Sequence, residues 1–394
     1  MTVEAEVSCG RSSRLCLLLV AFAALAGCAG GGNAVRAPDA IDDLMRAYQG
    51  RVPGASVLVL RDGETVVRRS YGYADLEHGV AATPATDYRL ASVSKQFTAA
   101  AILLLAEDGK LGLDDRARRW LPTLPAAAEP ITIRHLLTHT GGLIDYEDLL
   151  PQAPSAPPPP STGALPPASA EVVEESDRQL RDADVLHLLE RTDRLYFAPG
   201  TAYRYSNGGY AMLALIVEKA GGVPYQDFLR ERIFAPLGMR GTLARVHGGA
   251  PVPHRAYGYA EEGGRWLRTD QSSTSAVLGD GGVYSSIDDL ARWDAAWYDD
   301  RLLKDASRRA ALTPWTRTDE ADVEYGYGWR ITGETVWHSG ETIGFRNVVV
   351  RWPQRRVTVV VLTNRNDPEP YRVALAIGQR FLNEPAVRAR PDSP

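Results

Sequence analysis

Ser92-Val93-Ser94-Lys95 opens the run Gln96-Phe97-Thr98-Ala99-Ala100-Ala101-Ile102-Leu103-Leu104-Leu105-Ala106-Glu107, which is apolar on nearly every face and stops before Gly109. A helix of that character belongs in an interior. Three residues make about one helical turn, so Ser92 and Lys95 share a face at the start of the predicted core helix. Serine alone is a weak nucleophile. A neighbouring amine can take or relay its proton, and the positive helix N-terminus favours the alkoxide that develops during attack. The plainer reading of the tetrapeptide is a helix cap with Lys95 on the exposed side.

Working outward, Ala55 to Leu60 and Thr65 to Tyr71 are β-rich runs either side of Asp62-Gly63, a type I′ turn signal, so they predict an antiparallel hairpin. Ile41, Leu44, Met45 and Tyr48 recur at a helical period just before it. Late in the chain, Thr335 to His338, Phe345 to Trp352 and Arg356 to Thr363 are three β-branched-rich runs with short turns between them. The stretch from Tyr371 to Leu382 carries Val373, Ala374, Ile377 and Phe381 on one stripe, which suits a terminal helix packed on those strands. Between these ends, residues 110 to 275 show short helical patterns, clearest at Ile131 to Thr138 and Tyr210 to Ala220. The expectation is an α/β (α+β) fold: an antiparallel sheet flanked by helices, in a lobe built from 40–110 and 276–385, interrupted by a mostly helical lobe at 111–275. Pro151 to Ala170 holds eight prolines and no charge, so it predicts a solvent-facing loop within that lobe, or else a lid over the cleft between lobes.

Two further motifs sit where such a cleft would lie. Tyr205-Ser206-Asn207 supplies a phenol able to exchange protons and an amide able to bond both a substrate carbonyl and a neighbouring side chain. Alone it reads as a turn bearing an aromatic. His338-Ser339-Gly340 ends the first late strand, where a small residue at 340 would let substrate lie against the backbone and an exposed N–H bond an oxyanion. Alone it reads as a surface turn. His135 and His139, four apart, could share a helix face as a metal pair, but no third ligand is evident nearby. The aromatic-glycine run from Tyr325 to Trp329 reads as core or strand-edge packing, and Asp288-Asp289 after Ser285-Ser286 as a helix start.

Composition narrows the chemistry. The 394 residues carry 44 basic and 49 acidic side chains, a net charge of -5 that leaves no footprint for nucleic acid. Cys9, Cys16 and Cys28 all fall in the first thirty residues, so the body can hold neither an internal disulfide nor a thiolate metal site. No P-loop, dinucleotide fingerprint or H-E-x-x-H occurs, which points to catalysis without a cofactor. Arg11 and Arg14 precede an apolar run from Leu15 to Ala26, too short to span a bilayer and suited to a signal peptide. It ends in Leu25-Ala26-Gly27-Cys28, which resembles the bacterial lipobox. That resemblance implies a leader at 1–27, a lipid on Cys28, a tether at 28–39 and a body facing the cell envelope. Ala29 after the cysteine resembles outer-membrane sorting, hence the periplasmic face if the cell is Gram-negative. An ordinary secretory signal cleaved near Ala29 is the alternative. Residues 386–394 read as a tail.

The order S-x-x-K, Y-x-N, H-x-G resembles the serine β-lactamase and penicillin-binding-protein-like superfamily, especially class C β-lactamases, DD-peptidases and related esterases. The likeness extends to Ile131 through Leu143, Pro199 through Gly222, Leu229 to Met239 and Gly279 through Leu290, and covers about residues 40 to 382. It implies Ser92 as the acylated nucleophile, Lys95 as its proton partner, Tyr205 as a general base that returns a proton to the leaving group, and Asn207 as a ligand of the substrate amide. Either Lys95 or Tyr205 could take the first proton. The oxyanion would bond the N–H groups of Ser92 and Glu341, each contributing ~3 kcal/mol. It also implies no metal or organic cofactor, assigns His135 and His139 to packing and capping, and implies a small-molecule or peptide substrate, with peptidoglycan-derived compounds among the candidates. His338 stands where many members have a lysine that holds a substrate carboxylate, and Glu341 adds a negative charge nearby, so efficient β-lactam hydrolysis is less expected than peptidase or esterase activity. The alternative is a module of the same fold that acylates without turnover, or binds peptidoglycan fragments as a sensor.

Overall fold

Asp62 and Gly63 both sit at positive φ, 53° and 87°, as a two-residue type I′ hairpin demands, and join β1 (Ala55–Arg61) to β2 (Glu64–Tyr71). The computed structural model describes residues 39–150 and 179–382, and from Ala40 onward these form one compact unit. The proline-rich segment 151–170, the leader 1–27 with Cys28, and the tail 386–394 lie outside the described residues.

Three short strands, β3 (Tyr88–Arg89), β4 (Leu243–Ala244) and β5 (Val283–Ser285), pair in the order β3-β5-β4 as a small separate sheet. The main sheet is completed by β6 (Thr316–Arg317), β7 (Glu324–Tyr325), β8 (Arg330–Thr332), β9 (Thr335–Thr342), β10 (Phe345–Trp352) and β11 (Val357–Thr363). Its order is β6-β7-β8-β9-β10-β11-β1-β2, antiparallel throughout, so the first hairpin closes onto the last strand. The helices that matter for the site are α1 (Lys95–Glu107), α2 (Ile133–Leu137), α3 (Asp182–Glu190), α4 (Asn207–Gly221), α5 (Leu278–Gly281), α6 (Ile287–Ala295) and α7 (Pro370–Leu382).

Both faces of the central strands are covered, which explains why β1 and β11 are buried along their whole length. Leu58, Leu60, Val349, Val360 and Leu362 face a core shared with α1 and α4. Their neighbours Val57, Val59, Val348, Val350, Val359 and Val361 face the other way, onto Ala374 and Ile377 of α7. The alternation follows from strand geometry. Helix α1 lies inside the first core, buried from Lys95 to Leu105.

The chain departs from the sequence expectation in three places. The helix begun at Ser92 is a 3-10 turn over Ala91–Ser94 followed by α1, a common form for a helix entry. The middle of the chain is less uniformly helical than its pattern implied: β4 and a hairpin of Tyr259–Glu262 with Arg265–Arg268 lie within it, strands too short for periodicity to register. Gly340 also has a different task. A side chain there would meet Leu90 O at 1.9 Å, so the missing Cβ lets β9 press against the turn that carries Ser92, rather than leaving room for a substrate.

Gly340→Ala must therefore push β9 and the 3-10 turn apart. We expect it to destabilise the fold by about 1–3 kcal/mol, the usual cost of overpacking, read as a lower urea midpoint at unchanged slope. Wild-type stability in that variant would contradict the close approach.

Candidate active site

Ser92 is the one residue of its 3-10 turn that is not fully buried; Ala91, Val93 and Ser94 all are. The turn is held on several sides. Ser94 Oγ accepts the Val283 N–H at 3.1 Å, Leu90 N–H donates to Val283 O at 2.8 Å, and Gly340 packs on Leu90 O. Ala91 sits at φ +49, a conformation non-glycine residues rarely hold and one that clusters at functional sites.

One turn on, the Lys95 side chain is fully buried and donates to three oxygens: Ser92 Oγ at 3.1 Å, Asn207 Oδ1 at 2.8 Å and Asp280 O at 2.9 Å. An ammonium has three protons, so its donor capacity is filled. Its Nζ also stands 4.8 Å from the Tyr205 ring centroid and 5.5 Å from that of Tyr210. Burial pulls the Lys95 pKa down to about 8, opposed by the negative charges of Asp280, Asp145 and Glu147.

The Tyr205 hydroxyl is buried and makes no fully aligned hydrogen bond, with the Ser92 hydroxyl close enough to oppose the effect of burial on its ionisation. Burial still dominates and raises its pKa. Asn207 begins α4, where Ser206 Oγ caps Gly209 N–H at 3.0 Å and Asp145 Oδ2 accepts the Asn207 N–H at 2.6 Å. Ser92, Lys95, Tyr205 and Asn207 are thus brought together from two distant parts of the chain.

A cleft of about 50 Å³ opens beside Ser92, lined by Asn207, Tyr146, Glu147, Asp280, Arg89 and Glu341 among others. Strand β8 pairs with β9 only as far as Trp337, which leaves an open edge on β9 beyond it. The alternation that turns the Thr335 and Trp337 backbone groups toward β8 turns those of Ser339 and Glu341 the same way. The Glu341 N–H therefore points along that open edge, and its carboxylate is mostly exposed and paired with Arg346 across the strand pair.

His338 does not meet its expected role as a substrate ligand. It is buried, its Nε2 lies 2.9 Å from Tyr325 Oη and its Nδ1 2.6 Å from Ser339 O, so the protein occupies both ring nitrogens. A carbonyl can only accept, so Nδ1 carries the proton and Tyr325 donates to Nε2. Burial, with Arg330 and Lys95 nearby, holds its pKa well below the ordinary histidine value. Asp280 and Tyr146 were not singled out from the sequence, yet Tyr146 Oη donates to Asp280 Oδ2 at 2.9 Å beside the lysine. Burial raises the Asp280 carboxyl, opposed by Lys95. The signal for Asp280 lay within Gly279 to Leu290, a stretch whose likeness extends past the three motifs, whereas Tyr146 falls just beyond Ile131 to Leu143. His135 and His139 work apart: His135 forms a reciprocal cap with Thr132, and His139 packs under Tyr205. Among the described residues no group of three or more His, Cys, Asp or Glu is arranged to hold a metal.

The Beta-lactamase family model matches residues 38–384. A penicillin-binding protein from Bacillus subtilis is 32% identical over 337 residues, covering 81% of this chain and 70% of that protein. A D-aminopeptidase from Gluconobacter oxydans is 30% identical over 323 residues, covering 79% of this chain but only 56% of its own. The solved structure of an octameric penicillin-binding protein homologue from Pyrococcus abyssi superposes with a TM-score of 0.72 at 26% identity, covering 87% of this chain and 76% of that one.

The buried ammonium has a consequence for stability. Below about 8 the folded and unfolded chains both hold the Lys95 proton; between about 8 and the ordinary 10.5 the unfolded chain holds more, so this group adds stability as pH rises through that window. In urea denaturation, the stability of the wild type relative to Lys95→Met should climb across it. A difference independent of pH there would show that the lysine titrates normally.

Proposed function

The chain belongs to the Beta-lactamase family, and on that premise we propose that it is a serine hydrolase working through an acyl-enzyme on Ser92, with an ester, an amide or a D-amino-acid peptide as substrate. The observation that carries this is the contact between the buried Lys95 amine and Ser92 Oγ at 3.1 Å, at the floor of an open cleft.

Burial lowers the Lys95 pKa and raises that of Tyr205, so neutral amine is more accessible than phenolate. Lys95 in its neutral form takes the Ser92 proton as Oγ bonds to the substrate carbonyl carbon. The carbonyl electrons move onto oxygen, which the N–H groups of Ser92 and Glu341 receive. As the oxyanion collapses, the bond to the leaving group breaks and the Tyr205 phenol supplies its proton, recovering one from Lys95. Water then attacks the ester on Ser92 by the same route in reverse, freeing the acid. No step needs a cofactor.

Charge narrows the substrate. Asp280 and Glu147 line the cleft as carboxylates, whereas the Arg89 guanidinium is turned inward to Ser275 Oγ at 2.6 Å and Ser275 O at 3.2 Å. This favours a free amino group near the scissile carbonyl over a carboxylate, in keeping with the name D-aminopeptidase borne by a relative. Leu25-Ala26-Gly27-Cys28 supports a place at the cell envelope, held by lipid on Cys28. Labelled palmitate should enter the wild type in a bacterial host and not Cys28→Ser.

A fluorophosphonate should modify Ser92, located by mass spectrometry, and fail to label Ser92→Ala. Turnover should drop by about 10²–10⁴-fold in Tyr205→Phe, the range general acid–base groups contribute. Rates should rise as pH passes about 8 and Lys95 loses its proton, and the midpoint should fall in Asp280→Asn, which removes the main charge supporting the ammonium. A D-amino-acid amide should outrun its N-acetyl derivative. Labelling elsewhere, or full activity in Ser92→Ala, would end the reading.

A further inference from the structure

His139 is not part of the chemistry set out above, yet it touches the phenol loop three times. Its carbonyl accepts the Arg204 N–H at 3.0 Å, its ring Nδ1 accepts the Ser206 N–H at 3.0 Å, and its ring lies on that of Tyr205 with centroids 4.3 Å apart at 33°. One residue therefore grips both chain neighbours of Tyr205 and its aromatic face. We propose that His139 is a positioning residue, clamping the loop from Arg204 to Ser206 so that the Tyr205 hydroxyl stays over Ser92 and Lys95.

The clamp is anchored to a fixed element. His139 follows α2, where Thr138 N–H bonds Arg134 O at 3.0 Å and Thr140 N–H bonds His135 O at 2.9 Å. Its own φ is +58, in the left-handed region, where asparagine is among the few non-glycine residues at ease. Holding that conformation costs free energy, and here it coincides with the carbonyl and the ring both reaching the same loop. The bond from Ser206 also fixes the chemistry of the ring. Nδ1 must carry a lone pair to accept, so the neutral ring bears its proton on Nε2, which has no partner among the described residues. Tyr205 needs such a hold because its own hydroxyl makes no aligned bond to the protein. The ring also packs against Tyr203, Tyr210 and Tyr325, with centroids 5.9, 5.0 and 4.6 Å from its own.

The proposal rests on Tyr205 being the proton-handling phenol, so the test separates the two. In the full chain, His139→Asn puts an amide oxygen near the position of Nδ1, and His139→Gln carries it one methylene further. With thermal midpoints recorded for each, His139→Gln should lose about tenfold or more in kcat, as small misplacements do, with KM within about twofold, while His139→Asn recovers most of the rate. In a Tyr205→Phe background the His139→Gln effect should shrink to about twofold, because the group being positioned is gone. An undiminished loss in that background, or equal losses in Asn and Gln variants of matched stability, overturns the positioning role alone. A Tyr205→Phe enzyme as fast as the wild type overturns the reading of Tyr205, and this role with it.

Discussion

The ammonium of Lys95 is the constraint around which the site is organised. A fully buried charge is tolerable only when its hydrogen-bonding capacity is met. Its three acceptors come from three separate places: the 3-10 turn at Ser92, the start of α4 at Asn207 and the short helix α5 at Asp280. None can move without leaving a proton of the lysine unpaired in the interior. Each acceptor is in turn tied elsewhere, Asn207 through Asp145 and the α5 backbone through Asp182, whose carboxylate accepts the Leu278 and Gly279 N–H groups at 2.9 and 3.0 Å. The geometry around Ser92 is thereby a property of the packed body rather than of a loop.

Close backbone approach is what makes that arrangement possible. Side chains at Gly279, Gly328 and Gly340 would meet Tyr210 O at 2.3 Å, Lys95 O at 2.7 Å and Leu90 O at 1.9 Å. These are α4, α1 and the residue before the nucleophile turn. Sheet, helix and interlobe segment can converge on the serine because three backbones carry no Cβ at the points of contact. The same logic accounts for the Tyr325-Gly326-Tyr327-Gly328-Trp329 run: its aromatics fill the core beside α1 while Gly328, at φ +74, lets the chain turn against Lys95.

Much of this was legible in the sequence because it is local. Turn chemistry at Asp62-Gly63, β-branched runs from 335 to 363 and the apolar helix after Lys95 each follow from neighbours in the chain, and the observed strands and α1 fall on them, with β9 continuing past the expected His338 to Thr342. The convergence of Ser92, Lys95, Tyr205 and Asn207 came from motif order, which encodes a fold already in use. What escaped was non-local. Nothing around His338 announces that Tyr325 will cap its Nε2, nothing around Gly340 announces Leu90, and Asp280 contributes through its main-chain carbonyl, an atom every residue has. Proline content cannot tell a lid from a simple loop either, and that segment lies outside the described residues.

The inward histidine bears on charge more than on shape. Arg330 already stands near the Tyr205 ring, 5.8 Å from its centroid, and Arg330 and Lys95 each depress the basicity of His338. A lysine at 338 would bring a further ammonium into a volume holding these two cations, and buried like charges disfavour one another steeply. A neutral imidazole avoids that repulsion, and its proton is committed to Ser339 O. The positive charge of the site then stays with Lys95, next to the serine, while the cleft keeps the carboxylates of Asp280 and Glu147 on its wall. With a neutral group at 338, affinity for an anionic substrate has no cationic anchor there, and selection falls to the acidic wall.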